Sequence, residues 1–111
     1  MDEGKCNKIE RKFSKKLEKL NDNIEGLIDG ANLSDSYSIN KICELDRIAS
    51  SYLNELKNHK KGVVQSCRFY EVFHSIEQEV NHLQRRLYTN YQKILEYNKE
   101  NINNKVYAKE F

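Results

Sequence analysis

Between Phe69 and Leu87 the residues Phe69, Phe73, Ile76, Val80, Leu83 and Leu87 recur at steps of four, three, four, three and four. No other feature restricts the fold of this chain as much. Alternating steps of three and four place side chains along one side of an α-helix, whereas a strand needs a period of two. Ile94 and Tyr97 prolong the stripe, with Asn90 at the intervening seam position after Leu87. A stripe of this kind has to be covered, and the spacing is that of a seam between packed helices.

A second run precedes it. Ile42, Leu45, Ala49, Tyr52 and Leu56 step by three, four, three and four, and Ile48 and Leu53 widen the stripe. His59 and Val63 keep the same phase. The two runs differ in phase by one residue, which locally rewinds a helix or marks a kink. Lys60, Lys61 and Gly62 stand at the join, and glycine inside a helix costs about 1 kcal/mol relative to alanine. The spacing therefore predicts a bend or brief interruption at Gly62–Phe69. Residues 38–100 form either one long helix or two. Proline, which would break them, is absent from the chain. A single helix of that length would reach about 90 Å at 1.5 Å per residue. It cannot bury its seam within itself, so either the first segment folds back on it or partner chains cover it.

That first segment spans about residues 4–29. Ile9, Phe13, Leu17, Leu20, Ile24, Leu27 and Ile28 form its apolar face, and Gly30 follows as a helix stop. Residues 30–36 are small and polar and read as a loop, with Asp35, Ser36 or Ser38 placed to cap the next helix. Asn98, Asn101, Asn103 and Asn104 crowd the tail. Asparagine competes with the helical backbone for hydrogen bonds, so fraying is expected beyond residue 101. The reading is all-α: elongated helices with coiled-coil seams. Residues 1–37 make an amphipathic helix and polar loop, residues 38–101 the coiled-coil region, and residues 102–111 a frayed tail.

The composition excludes several functions. Charged residues make up 32% and hydrophobic residues 38%, too little apolar material for a generous core in a chain this short. The isolated chain is thus expected to homo-oligomerise or partly unfold. A net charge of +2 is weak for a dedicated nucleic-acid binder, and none is expected as a partner. No stretch approaches a membrane span. The opening Met1-Asp2-Glu3-Gly4-Lys5 has neither an apolar signal region nor glycine at position 2, so a cytoplasmic location is expected. Without a secretory signal, the glycosylation-like triplet Asn32-Leu33-Ser34 carries no meaning. Cys6, Cys43 and Cys67 are too widely spaced for a zinc or redox pair and read as small hydrophobes.

Nothing suggests catalysis. Phosphate loops, metalloprotease motifs and nucleophile elbows are missing, and no cofactor is implied. His59, His74 and His82 supply too few ligands for a metal site. Carboxylates such as Glu71, Glu77, Glu79, Glu96 and Glu100 read as solvated helix faces. The seven tyrosines fit packing with a wet hydroxyl better than base stacking. Lys8, Lys12, Lys15 and Lys19 line up beside the first stripe, within a run that also holds Lys5, Arg11 and Lys16. Such a face suits an anionic membrane or an acidic partner, but Glu3, Glu10 and Glu18 dilute it. Peripheral membrane contact is the most this run supports. A basic, tyrosine-rich binder of membrane or nucleic acid stays open as a lesser reading, marked by steep salt dependence.

Glu44-Leu45-Asp46-Arg47-Ile48-Ala49, then Leu56-Lys57, then Ile76-Glu77-Gln78-Glu79-Val80-Asn81-His82-Leu83, with Tyr88 beyond, carry a resemblance. Over residues 41–97 the chain resembles the family of subunit 2 of the biogenesis of lysosome-related organelles complex 1, with Leu45 where that family has methionine. The resemblance implies a non-catalytic subunit of an elongated hetero-oligomeric helical rod. It implies service in endosome and lysosome-related organelle trafficking, peripheral to endosomal or lysosomal membranes, with other small helical subunits as partners. The partner-facing seam expected from the stripes is Ile42, Leu45, Ile48, Ala49, Tyr52, Leu56, Phe69, Phe73, Ile76, Val80, Leu83, Leu87 and Ile94. Periodicity alone serves equally for a coiled-coil subunit of a kinetochore or transcription-regulatory assembly.

Overall fold

The computed structural model describes residues 3–29, 35–63 and 68–110, and side chains within them up to residue 97. Three helices account for nearly all of it: α1 (Glu3–Asp29), α2 (Asp35–Lys60) and α3 (Arg68–Glu110). The all-α reading holds, and the region from residue 38 onward is two helices, not one.

Each helix starts and stops for a local reason. Glu3 and Glu71 sit in the first turns of α1 and α3, where the helix dipole favours negative charge. Lys57, His59 and Lys60 occupy the last turn of α2, where it favours positive charge. The interruption falls where the phase slip put it. The Lys61 N–H donates to the Lys57 carbonyl, and the Val63 N–H donates to the Lys60 carbonyl in a tighter turn that closes the helix. α2 begins at Asp35, so Ser36 and Ser38 lie inside the helix and do not cap it; Ser38 is buried. α3 runs on through the asparagine-rich stretch to Glu110. Gly30, the Asn32-Leu33-Ser34 triplet, Cys67 and the side chains beyond Tyr97 lie outside the described residues.

Cross-helix contacts set the directions. Arg68 meets Glu3 and Arg86 donates to Asn21, so α1 and α3 run parallel in matched register. Lys12 meets Glu55, Lys60 meets Glu77, and Gln84 donates to Asp46, so α2 runs antiparallel to both. The result is a rod of 71 × 23 × 15 Å.

The core is one continuous cluster along this rod. Cys6, Phe13, Leu17, Leu20, Ile24 and Leu27 come from α1. Ile42, Leu45, Ala49 and Leu56 come from α2, and Phe73, Ile76, Val80, Leu83 and Leu87 from α3. Phe13, Ile24, Ala49, Leu56, Phe73 and Val80 are wholly shielded. Of the two ways to cover the seam, the chain takes the internal one: α1 folds back and closes it.

Candidate interaction surface

The seam residues are found in this core. Ile42, Leu45, Ala49, Leu56, Phe73, Ile76, Val80, Leu83 and Leu87 are each at most 8% exposed, and Ile48, Tyr52, Phe69 and Ile94 are packed against them half-buried. Their first neighbours are the chain's own helices. A partner meets them in this structure only if a helix moves away.

What remains for a partner is set by a mismatch of length. α3 has 43 residues against 27 in α1 and 26 in α2. Because α1 and α3 are parallel and start together, α3 outruns the bundle by 16 residues, about 24 Å at 1.5 Å per residue. The exposed large apolar side chains gather where this overhang leaves the bundle. Ile28 closes α1, Tyr37 opens α2, and Tyr88, Leu95 and Tyr97 flank the exit on α3, each between 43% and 61% exposed. Tyr88 and Leu95, two turns apart, share one side of α3. Beneath them Ile42, Cys43, Asp46, Gln84, Leu87, Tyr88 and Tyr91 line a shallow cleft of ≈ 200 Å³.

Two sequence expectations change here. Ile28 was placed in the buried stripe of α1 and Tyr97 in that of α3, yet they are 43% and 60% exposed. Tyr97 lies past the ends of α1 and α2, whereas Ile28 sits at the edge of the α1 stripe, over an open cleft shared with His82, Arg85 and Arg86 of α3.

The opposite end of the rod is closed by charge and aromatics. Phe13 meets Tyr52 edge-on at 6.1 Å and His59 at 6.5 Å, and His59 stacks on Phe73 at 5.7 Å. Lys16 lies over both Phe13 and Tyr52, at 5.4 and 5.0 Å. Lys12 and Lys16 donate to the two oxygens of Glu55 at 2.7 and 3.3 Å, bridging α1 to α2. The hydrogen bond from Lys12 holds the Glu55 carboxyl below its usual range despite an opposing effect of burial, and the same bond raises Lys12. Burial, aided by the Glu55 charge, raises Tyr52. All of these shifts belong to helix packing.

A second cross-link ties α2 to α3. Lys60 Nζ lies 3.0 Å from Glu77 Oε1 and 4.5 Å from the Tyr70 ring centre, with both charged side chains 15% exposed. The approach lies off the direction a hydrogen bond needs, so Glu77 Oε1 stays buried without a formed hydrogen bond. Burial opposes the Lys60 ammonium, but Glu77 and Tyr70 together outweigh it and raise its pKa. Sequence reading missed this pair because the two residues sit on the edges of stripes that looked separate.

Chemistry finds little footing. Among the described residues no three His, Cys, Asp or Glu side chains come together as metal ligands. Two open clefts lie between α1 and α3, one of them lined by Ser14, Glu18, Asn21, Gln78, Glu79 and His82 among others. No helix is long and apolar enough, among the described residues, to cross a membrane. Lys8, Lys12, Lys15 and Lys19 are exposed along α1. Comparison with family models, curated proteins and solved structures found no match.

Proposed function

We propose that this chain is a non-catalytic helical subunit that joins a larger assembly through the end where α3 leaves the bundle. The observation that carries the reading is the collection of Ile28, Tyr37, Tyr88, Leu95 and Tyr97 at that one end, beside the unpaired length of α3. A helix with apolar side chains and no neighbour offers the same kind of surface that α1 and α2 cover elsewhere, and a partner helix laid alongside would continue the bundle. Aromatic anchors of this kind dominate interface energetics when a partner buries them.

The assembly we propose is of the endosome and lysosome-related organelle trafficking type, with other small helical chains as partners, on the resemblance over residues 41–97. Its subunits work by packing helices together, as the three helices of this chain do around their shared core.

Affinity purification of the tagged chain with mass spectrometry tests both parts. The expected recovery is a set of small helical trafficking subunits, lost on Leu95→Asp with Tyr88→Ala. Recovery of kinetochore or transcription subunits alone would refute the assembly assignment. Full recovery with the double variant would refute the surface.

A further inference from the structure

The basic run of α1 contains Glu3, Glu10 and Glu18, which in the linear sequence look like dilution. The fold separates them. At 100° per residue, the positions of α1 that face away from the core split into two arcs. One arc, about 140° wide and centred toward the α2 side, holds Arg11, Gly4, Lys15, Lys8, Lys19, Lys12, Lys5 and Lys16 over residues 4–19. Gly4 aside, every one is a cation. The other arc holds Glu3, Asn7, Glu10, Ser14 and Glu18, turned toward α3, where Glu3 meets Arg68 and Glu10, Ser14 and Glu18 line the clefts.

Across the groove Glu55 of α2 answers Lys12 and Lys16. Lys8, Arg11, Lys15 and Lys19 lie further around the helix, exposed, in a strip about 17 Å long at 1.5 Å per residue.

We propose that this strip binds the headgroups of an anionic lipid bilayer. Three observations choose that partner. The Lys12–Glu55–Lys16 bridge, with Lys16 laid over Phe13 and Tyr52, closes the α1/α2 groove, leaving no apolar seat there for a partner helix. The apolar face of α1 is spent in the bundle core, so the strip acts by charge without insertion. The exposed tyrosines that could stack bases, Tyr37, Tyr88 and Tyr97, lie at the other end of the rod. A cluster of four or more lysines and arginines on a helix surface is what an anionic leaflet attracts, at about 1 kcal/mol or roughly fivefold in affinity for each cation.

The test is co-sedimentation of the full chain with vesicles of phosphatidylcholine alone or with about one-third phosphatidylserine. Wild type is compared with Lys8→Gln/Arg11→Gln/Lys15→Gln/Lys19→Gln. A control of equal charge change is Arg47→Gln/Lys57→Gln/Arg85→Gln/Lys93→Gln. Circular dichroism checks that both remain helical. The expected result is binding to the phosphatidylserine vesicles only, weakened by salt, falling roughly several-hundredfold in the strip variant and far less in the control. Absence of wild-type binding at low salt, or equal losses in both variants, overturns the proposal. Binding to duplex DNA through the same four residues, with no binding to vesicles, overturns it in favour of nucleic acid.

Discussion

Replacing Phe13 by alanine tests whether α1 belongs to the fold of the isolated chain. Phe13 is wholly shielded and touches the other two helices' aromatic cluster through Tyr52 and His59, with Lys16 over its ring. Removing a buried phenylalanine costs about 3–5 kcal/mol, part of it transfer energy and part the cavity left behind. The edge-on aromatic contacts, worth about 0.5–1.5 kcal/mol, lie within that range and are not added to it. Domains of this size hold about 5–15 kcal/mol in all, so the substitution removes a large share. At roughly 4 °C per kcal/mol the midpoint of thermal unfolding should fall by on the order of 15 °C.

Urea unfolding of the isolated chain, followed by circular dichroism, measures the loss directly. A milder variant, Phe13→Leu, guards against a Phe13→Ala chain too unstable to measure, with an expected cost under about 1.5 kcal/mol. If α1 were detached, and the α2–α3 seam waited for another chain, Phe13 would behave as a surface residue. Its replacement would then change stability by no more than about 0.5 kcal/mol. That outcome would refute the packing of α1 onto the seam.

Further outcomes follow from the same contacts. Glu55→Gln should cost about 0.2–1 kcal/mol near neutral pH, because its partners are partly exposed lysines. The folded-state pKa of Glu55 is depressed, so its contribution is complete above the ordinary carboxyl value of 4.5 and is lost as pH falls through the lower folded value. The wild-type and Glu55→Gln unfolding curves should therefore converge in acid; a gap that persists there would count against the Lys12 bridge. Glu77→Leu alone should destabilise by about 1–2 kcal/mol by stranding the Lys60 ammonium, while Lys60→Met/Glu77→Leu should cost less than the single change. A strictly additive double-mutant cycle would show that the two do not interact. Gly26→Ala should stabilise by up to about 0.5 kcal/mol, since a Cβ there meets nothing within 4 Å on the exposed side of the last turn of α1, and a loss of stability in urea unfolding would contradict that geometry. Leu95→Asp should leave the isolated chain within about 0.5 kcal/mol of wild type, because Leu95 is 45% exposed; a larger loss would place it in the core.

The sequence carries the buried set almost completely. Spacing of three and four chooses Leu17, Leu45, Val80 and their neighbours because helix geometry admits one face to the interior, and these residues are at most 7% exposed. The phase slip between Leu56 and Phe69 gives the break for the same reason: two seams a residue apart cannot face one neighbour without a turn between them. What spacing leaves open is which surface covers the stripe, because Leu83 packs as well against an α1 leucine as against another chain's. The partner-facing role expected for Val80 and Leu83 and their internal burial are indistinguishable in one dimension. Charge is harder still. Glu10 and Glu18 read as neighbours of Lys8 and Lys19 along the chain; helix geometry turns them onto different faces, and only the placement of α2 and α3 decides that the glutamates face α3.

Length completes what periodicity starts. Three amphipathic helices of equal length would bury one another's stripes from end to end and leave little apolar surface for anything else. Here α1 and α2 match, at 27 and 26 residues, and α3 exceeds both by more than four turns. Its apolar spacing does not stop where its neighbours do: Ile94 is still half-buried beside the end of α1, while Tyr97, three residues further along the stripe, is open to solvent. The change from covered to uncovered within a single turn is produced by the ends of α1 and α2, not by any change in the chemistry of α3. A stripe that continues past the helices able to cover it is the place where this fold has surface left to share with another helix.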